Sequence, residues 1–365
     1  MVDCSADELA DSSSAVAIGN LPFLQIVLET ICSEHCVRCI LLSLHRETKN
    51  GGKMKKETKI NVKMFRVVGD FAPMVRVDFM DKDAHEHSGL MILDSCSTVN
   101  VLSSEMANCI GILNKKDNEN EDIITSTNII VSLNRADFSF AFGGVQFHET
   151  FCINDHRLPH IKGDLPLVGI LGNKFMLKHR LVIDYSDFSI HNSNANPEIL
   201  SVSDCELYVP MGYGLVYYGI PLLAITQGEK QIFTMADTGA SFNIIAKQTI
   251  IDNGLECLYL GEKDSISGLG GTETESEDAI VKYKFETMKD SDGSLDEISY
   301  KSQFKVIPYY PYTPSQGSCD KNGNPLLPVE AIISSPFMAK EGWVLDFGAN
   351  IVYKRKSEAL LKEAV

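Results

Sequence analysis

Leu90-Met91-Ile92-Leu93-Asp94-Ser95-Cys96-Ser97-Thr98-Val99-Asn100-Val101-Leu102 decides the fold, because the chain writes it twice. Its second copy is Phe233-Thr234-Met235-Ala236-Asp237-Thr238-Gly239-Ala240-Ser241-Phe242-Asn243-Ile244-Ile245, at an offset of 143 residues. Asp falls on Asp, hydroxyl on hydroxyl, Asn on Asn, and most apolar positions coincide. An internal repeat of this length means duplicated structural units. In each copy an apolar run leads into a polar turn and a second apolar run follows, which is the pattern of a buried strand, a turn and another strand.

A second matched pair follows in the same order. Gly169-Ile170-Leu171-Gly172-Asn173-Lys174-Phe175-Met176 runs on to Leu181-Val182-Ile183-Asp184-Tyr185. Its partner, Ala331-Ile332-Ile333-Ser334-Ser335-Pro336-Phe337-Met338, runs on to Trp343-Val344-Leu345-Asp346-Phe347. Two landmarks in one order predict two homologous lobes, 61–200 and 205–356, joined near Asn192–Asp204, with a C-terminal tail at 357–365. From Ile60 onward the chain consists of short β-type runs such as Val62–Val68, Met74–Phe79 and Ile129–Leu133, separated by turn residues. The expected fold class is therefore mostly β and bilobal.

Residues 1–60 differ and are expected to form an N-terminal extension. Leu21–Leu44 is apolar with helical spacing, so one amphipathic helix is expected there. Glu47–Lys59 is polar and basic; it reads as a linker, or as the neighbourhood of an alternative start at Met54. Met1–Ser12 is acidic and lacks the basic region of a secretory signal.

Composition sets outer limits. The 365 residues suffice for two or three domains at roughly 100–200 residues each. With 44% hydrophobic and 22% charged residues the balance is that of a globular chain, which needs no disulfide staples. A net charge of −16 makes nucleic acid and anionic membranes poor partners. No run of 18 apolar residues points to a membrane span. Of the ten cysteines, the seven outside the cluster Cys32, Cys36 and Cys39 are scattered singly, so free thiols in a reducing compartment are expected, which favours a cytoplasmic location.

A lone Asp-Thr-Gly is an ordinary surface turn. Duplicated at a strand end on two related lobes, it places one carboxylate on each, and a pseudo-two-fold axis would bring the two face to face. With these residues the chain resembles the aspartic peptidases, specifically their retropepsin-like branch, over roughly residues 65 to 356. Lobe two carries the better turn, Asp237-Thr238-Gly239-Ala240-Ser241, and lobe one the better later motif, Gly169-Ile170-Leu171-Gly172-Asn173.

The resemblance implies an acid-protease fold and an aspartic endopeptidase that needs no metal or organic cofactor. Asp94 and Asp237 would share one proton and activate a water. The expected partner is an extended peptide or protein substrate, and an internal pseudo-dimer would let the chain work as a monomer. Ser95 and Thr238 take the positions that hydrogen-bond across the lobe interface. Gly239 allows close backbone approach, and Ser97 and Ala240 stand where a hydroxyl can bond the outer carboxylate oxygen. Gly268, Leu269, Gly270 and Gly271 match the flap; an ordinary hairpin turn is the other reading. Lobe one has Thr125-Ser126-Thr127-Asn128 at that offset, without glycine.

Cys96 departs from the family pattern, which has glycine there. If the turn needs a positive φ, a β-carbon costs about 1 kcal/mol or more. Three readings stand: an active enzyme with a tolerant turn, an enzyme gated by thiol oxidation, and a catalytically silent module that binds peptides or proteins. Ser334 stands in lobe two where lobe one has Gly172.

Other features carry less. Pro308–Pro314 reads as a rigid exposed loop or a subsite wall. Cys32, Cys36 and Cys39 have an iron–sulfur spacing without the chain context, and packing cysteines on a helix are expected. His85-Glu86-His87 reads as a solvated turn, since no third metal ligand is evident. Asp184 and Asp346 read as structural. Glu273–Asp278 reads as a solvated acidic face.

Overall fold

The computed structural model describes residues 59–67, 70–112, 120–124, 130–155, 158, 164–193, 204–211, 220–227, 230–267, 273–288, 295–313 and 327–356. Residues 1–58 of the N-terminal extension, with its three-cysteine cluster, both candidate flap segments and the C-terminal tail lie outside them.

The described chain is mostly β, arranged as two lobes, each holding a closed ring of six strands. In lobe one the ring runs Asp70–Met80, Glu86–Asp94, Leu167–Gly172, Val101–Ser103, Val145–Asn154 and Ile130–Phe142, and returns to the first strand through Val77 and Asp78. In lobe two it runs Leu222–Gln227, Lys230–Asp237, Ala331–Ser334, Asn243–Ala246, Leu295–Ile307 and Glu273–Met288, and closes through Ile225 and Thr226. The two rings share one strand order. They also share strand senses: the Asp-bearing strand runs parallel to the late strand in both, and the strand after the turn pairs antiparallel with that late strand. The sequence repeat is thus a repeat of topology. Closure removes sheet edges that would otherwise be left unpaired.

A third sheet joins the lobes. Its central pair is Leu181–Asp184 from lobe one against Val344–Asp346 from lobe two. The register pairs Val182 with Asp346 and Asp184 with Val344, about Ile183 and Leu345. These are the repeated apolar-apolar-Asp segments, so a pseudo-two-fold axis passes between them. Both aspartates then work as turn acceptors. Asp184 Oδ1 takes the Ser186 N–H at 2.8 Å, and Asp346 Oδ1 takes those of Gly348 and Ala349 at 2.8 Å each.

Strand alternation builds the cores. Phe138, Phe140 and Phe142 project to one face and stack with Phe147, Phe151 and Phe175 in lobe one. Tyr283, Phe285, Phe304, Phe337 and Trp343 do the same in lobe two. Each buried aromatic of this kind contributes about 1.5–3 kcal/mol. The four helices described are short, and no described helix is long and apolar enough to cross a membrane.

One expectation is overturned here. Glu273–Asp278 is not a solvated face throughout, because a strand buries every second residue. Thr274, Ser276 and Asp278 point inward, and Asp278 is paired with Lys305 at 2.9 Å.

Candidate active site

Asp94 and Asp237 are the last residues of their strands. Each strand ends in the same turn: Ser97 N–H donates to the Asp94 carbonyl at 3.3 Å, and Ala240 N–H to the Asp237 carbonyl at 3.4 Å. The turns meet between the lobes, with the Asp94 carboxyl against the backbone of Gly239 and the two carboxyl groups close enough to interact.

A reciprocal grid holds them there. Ser95 N–H donates to Thr238 Oγ1 at 2.9 Å, and Thr238 N–H donates to Ser95 Oγ at 2.9 Å. Each hydroxyl then donates onward across the interface. Ser95 Oγ reaches the Ala236 carbonyl at 2.5 Å, and Thr238 Oγ1 the Leu93 carbonyl at 2.6 Å. Both side chains are fully buried. A buried hydroxyl must be paired, so losing one partner costs about 1–3 kcal/mol. The grid therefore fixes the two turns relative to one another.

Within each turn the aspartate is oriented by backbone donors. Asp94 Oδ1 accepts from Cys96 N–H at 2.9 Å and Ser97 N–H at 3.0 Å. Asp237 Oδ1 accepts from Gly239 N–H at 2.8 Å. Burial pushes both carboxyls above the usual carboxylate range. For Asp94 the donors from Cys96 and Ser97 oppose the rise. For Asp237 the neighbouring Asp94 charge adds to burial. Burial of the pair therefore favours a retained proton, and such a dyad titrates as a unit.

The late strands buttress the turns from behind. Asn100 Oδ1 accepts from Gly172 N–H at 3.0 Å, and Asn243 Oδ1 accepts from Ser334 N–H at 2.9 Å. A β-carbon on Gly172 would lie 2.5 Å from the carbonyl oxygens of both Ser97 and Val99. Lobe two tolerates Ser334 at the matching place, where its hydroxyl donates to Asn243 Oδ1 at 2.9 Å. The two repeated asparagines thus have a role that alignment alone did not reveal.

Two expectations need correction. The backbone at 96 and 239 does not adopt a positive φ, so Cys96 carries no left-handed strain. What position 239 requires is space: a β-carbon there would sit 2.5 Å from Asp94 Oδ2. Cys96 finds room for its side chain against an apolar cluster of lobe two formed by Ile220, Leu222, Met235, Val329 and Ile332. Its Sγ lies 3.8 Å from the Ala236 carbonyl. Finally, the Ser97 hydroxyl donates to the Val99 carbonyl at 2.7 Å, not to a carboxylate.

Of the other expected elements, Gly268, Leu269, Gly270 and Gly271 lie outside the described residues. The strands on either side, Cys257–Ser267 and Glu273–Met288, pair antiparallel up to Ser267 and Glu273. Thr274 of that hairpin hydrogen-bonds the Tyr309 hydroxyl. Tyr312 packs on the same apolar cluster as Cys96 and Ala240. The Pro-Tyr segment therefore connects the hairpin with the ground beside the dyad. A separate cavity of about 210 Å³, lined in part by Asn100, Arg135 and Lys174, includes neither aspartate.

A scan against protein-family models gives no match, and a search of curated proteins gives none either. The chemistry is therefore argued from the geometry. Two carboxyl groups, both raised by burial, face each other between two lobes whose turns are fixed by buried hydrogen bonds. Such a pair can act as base and acid toward one bound molecule.

Proposed function

We propose that the protein is an aspartic-type endopeptidase of retropepsin-like, bilobal acid-protease fold. The observation that carries this reading is the close Asp94–Asp237 pair, one aspartate from each lobe, locked by the reciprocal Ser95–Thr238 grid. Peptide hydrolysis needs a base to activate water and an acid for the carbonyl oxygen and the leaving amine. The charged member of the dyad takes a proton from the water. The neutral member donates to the scissile carbonyl. Neither step requires a metal or organic cofactor. The substrate is an extended peptide or protein segment lying between the lobes, beside the paired strands Cys257–Ser267 and Glu273–Met288. Because each chain supplies both aspartates, a monomer suffices.

One observation favours a second reading, a catalytically silent module that binds peptides or proteins. Cys96 puts a side chain beside the dyad, where the family has glycine. Turnover separates the two. Asp94→Asn and Asp237→Asn each abolish hydrolysis in a folded protein if the dyad is catalytic, and a pepstatin-type inhibitor blocks the wild type. Full activity in either variant overturns the proposal, and inhibitor binding without turnover favours the silent module.

A further inference from the structure

Away from the dyad, at the far end of the strand that carries Asp94, the fold gathers three kinds of metal-ligating atom. The Asp70–Met80 and Glu86–Asp94 strands are joined by a tight turn, in which Ala84 takes a positive φ of 65°. Asp81 leads the turn. Its Oδ1 accepts the N–H groups of Asp83 at 2.8 Å and His85 at 2.9 Å. That leaves Oδ2 turned to the other side, where His87 Nε2 lies at 2.8 Å and His85 Nδ1 at 3.3 Å. The C-terminal end of the Ser104–Cys109 helix docks on the same turn, with Lys82 N–H donating to the Cys109 carbonyl at 3.5 Å. Docking brings in Cys109 Sγ. Asp81, His87 and Cys109 each offer a ligand atom, all within 4.8 Å of one another; Asp81 and Cys109 are half-buried and His87 is exposed.

We propose that Asp81, His87 and Cys109 bind a divalent zinc-type cation. A mixed oxygen, imidazole and thiolate donor set suits zinc and its borderline neighbours, and it suits the hard ions magnesium and calcium poorly. Tetrahedral ligands at zinc distances stand roughly 3.3 Å apart for oxygen and nitrogen, so the Asp81–His87 pair opens by about half an ångström as the ion replaces the bridging proton. Water takes the fourth position. The backbone donors on Asp81 Oδ1 hold the ligating carboxylate as a second shell does. His87 is further held by stacking on Phe79, with ring centroids 5.8 Å apart. The ligands come from two segments, the strand turn and the helix end, so the ion clamps one to the other. The expectation of a metal-free turn at His85–His87 rested on a missing third ligand, and folding supplies it.

The test is a titration of the reduced, metal-free full chain with cobalt, which reports thiolate ligation by a charge-transfer band, followed by zinc. The wild type is expected to bind and to show a raised thermal midpoint. Cys109→Ser is expected to lose the thiolate band, and His87→Gln to weaken binding at least tenfold, with both proteins folded by circular dichroism. In parallel, stoichiometric zinc should protect Cys109 of the wild type from alkylation mapped by mass spectrometry, a readout that needs no variant. No band in the wild type overturns the proposal. So does a band that survives Cys109→Ser, which would place the thiolate elsewhere, as at Cys32, Cys36 and Cys39. An unchanged affinity in His87→Gln, or alkylation of Cys109 indifferent to zinc, overturns it as well.

Discussion

The backbone of Gly239 lies flat against the carboxyl group of Asp94: a β-carbon at 239 would stand 2.5 Å from Oδ2 and 2.6 Å from Cγ. The glycine of one lobe thus leaves room for the aspartate of the other. Gly239→Ala should move the Asp94 carboxyl without disturbing the strands. A displacement near 1 Å in such a site costs about a hundredfold in rate. Hydrolysis should fall at least that far while circular dichroism stays native. Wild-type activity in this variant would mean the close approach is unimportant.

The late strands give a paired prediction. Gly172→Ser forces a side chain onto the carbonyls of Ser97 and Val99 and should cost several kcal/mol, the range of severe core changes. Ser334→Gly removes only one hydroxyl hydrogen bond and should cost about 1 kcal/mol. Chemical denaturation of the two variants checks the difference. Equal costs would contradict the asymmetry between the lobes.

Much of this was legible in the sequence, since the 143-residue offset sets Asp94 over Asp237 and Ser95 over Thr238. The later landmarks were legible too, as apolar runs with a Phe-Met pair and an Asp-aromatic end. What the repeat could not convey was pairing. Asp184 and Asp346 align, but only the antiparallel register with Val344 and Val182 shows that they frame the joint between lobes. Asn100 and Asn243 align, yet their partners Gly172 and Ser334 lie far along the chain. Cys96 was read through added bulk and through backbone conformation; no left-handed backbone occurs there, and the constraint on this turn is the space around each carboxylate. Cys109 was beyond any local pattern, because it reaches His87 only when the helix docks.

Stability should report the dyad through pH. Burial, and for Asp237 also the Asp94 charge, raises both carboxyls above their ordinary value of 3.8 in the folded chain. From about that value upward to the raised folded values, the folded state holds more protons than the unfolded one. Stability contributed by the pair therefore falls as pH rises through this window. Asp237→Asn removes the penalty. Its thermal midpoint relative to wild type should grow more favourable from pH 4 to pH 7 (about one carboxyl's titration). A difference that stays flat, or reverses, would show that the pair is not raised.

Cys96 should be chemically quiet. Burial first, then the charges of Asp237 and Asp94, push its thiol well above the ordinary 9.0. The thiolate is the reactive species, so oxidation and alkylation should be slow. Iodoacetamide should label Cys96 more slowly than it labels glutathione at the same pH, and mild oxidant should leave hydrolysis intact. Cys96→Ala should keep activity within a few-fold. Rapid labelling of Cys96 with reversible loss of activity would instead establish a thiol gate.

The most direct test of the account is cleavage of a diverse peptide library by purified wild type and Asp237→Asn, from about pH 3 to 7, the window over which carboxyl dyads change protonation, under reducing conditions. A catalytic Asp94–Asp237 pair predicts cleavage by the wild type alone, at sites that share a common extended pattern. A folded wild type that cleaves nothing at any pH, or an Asp237→Asn protein that cleaves as well as wild type, would contradict it.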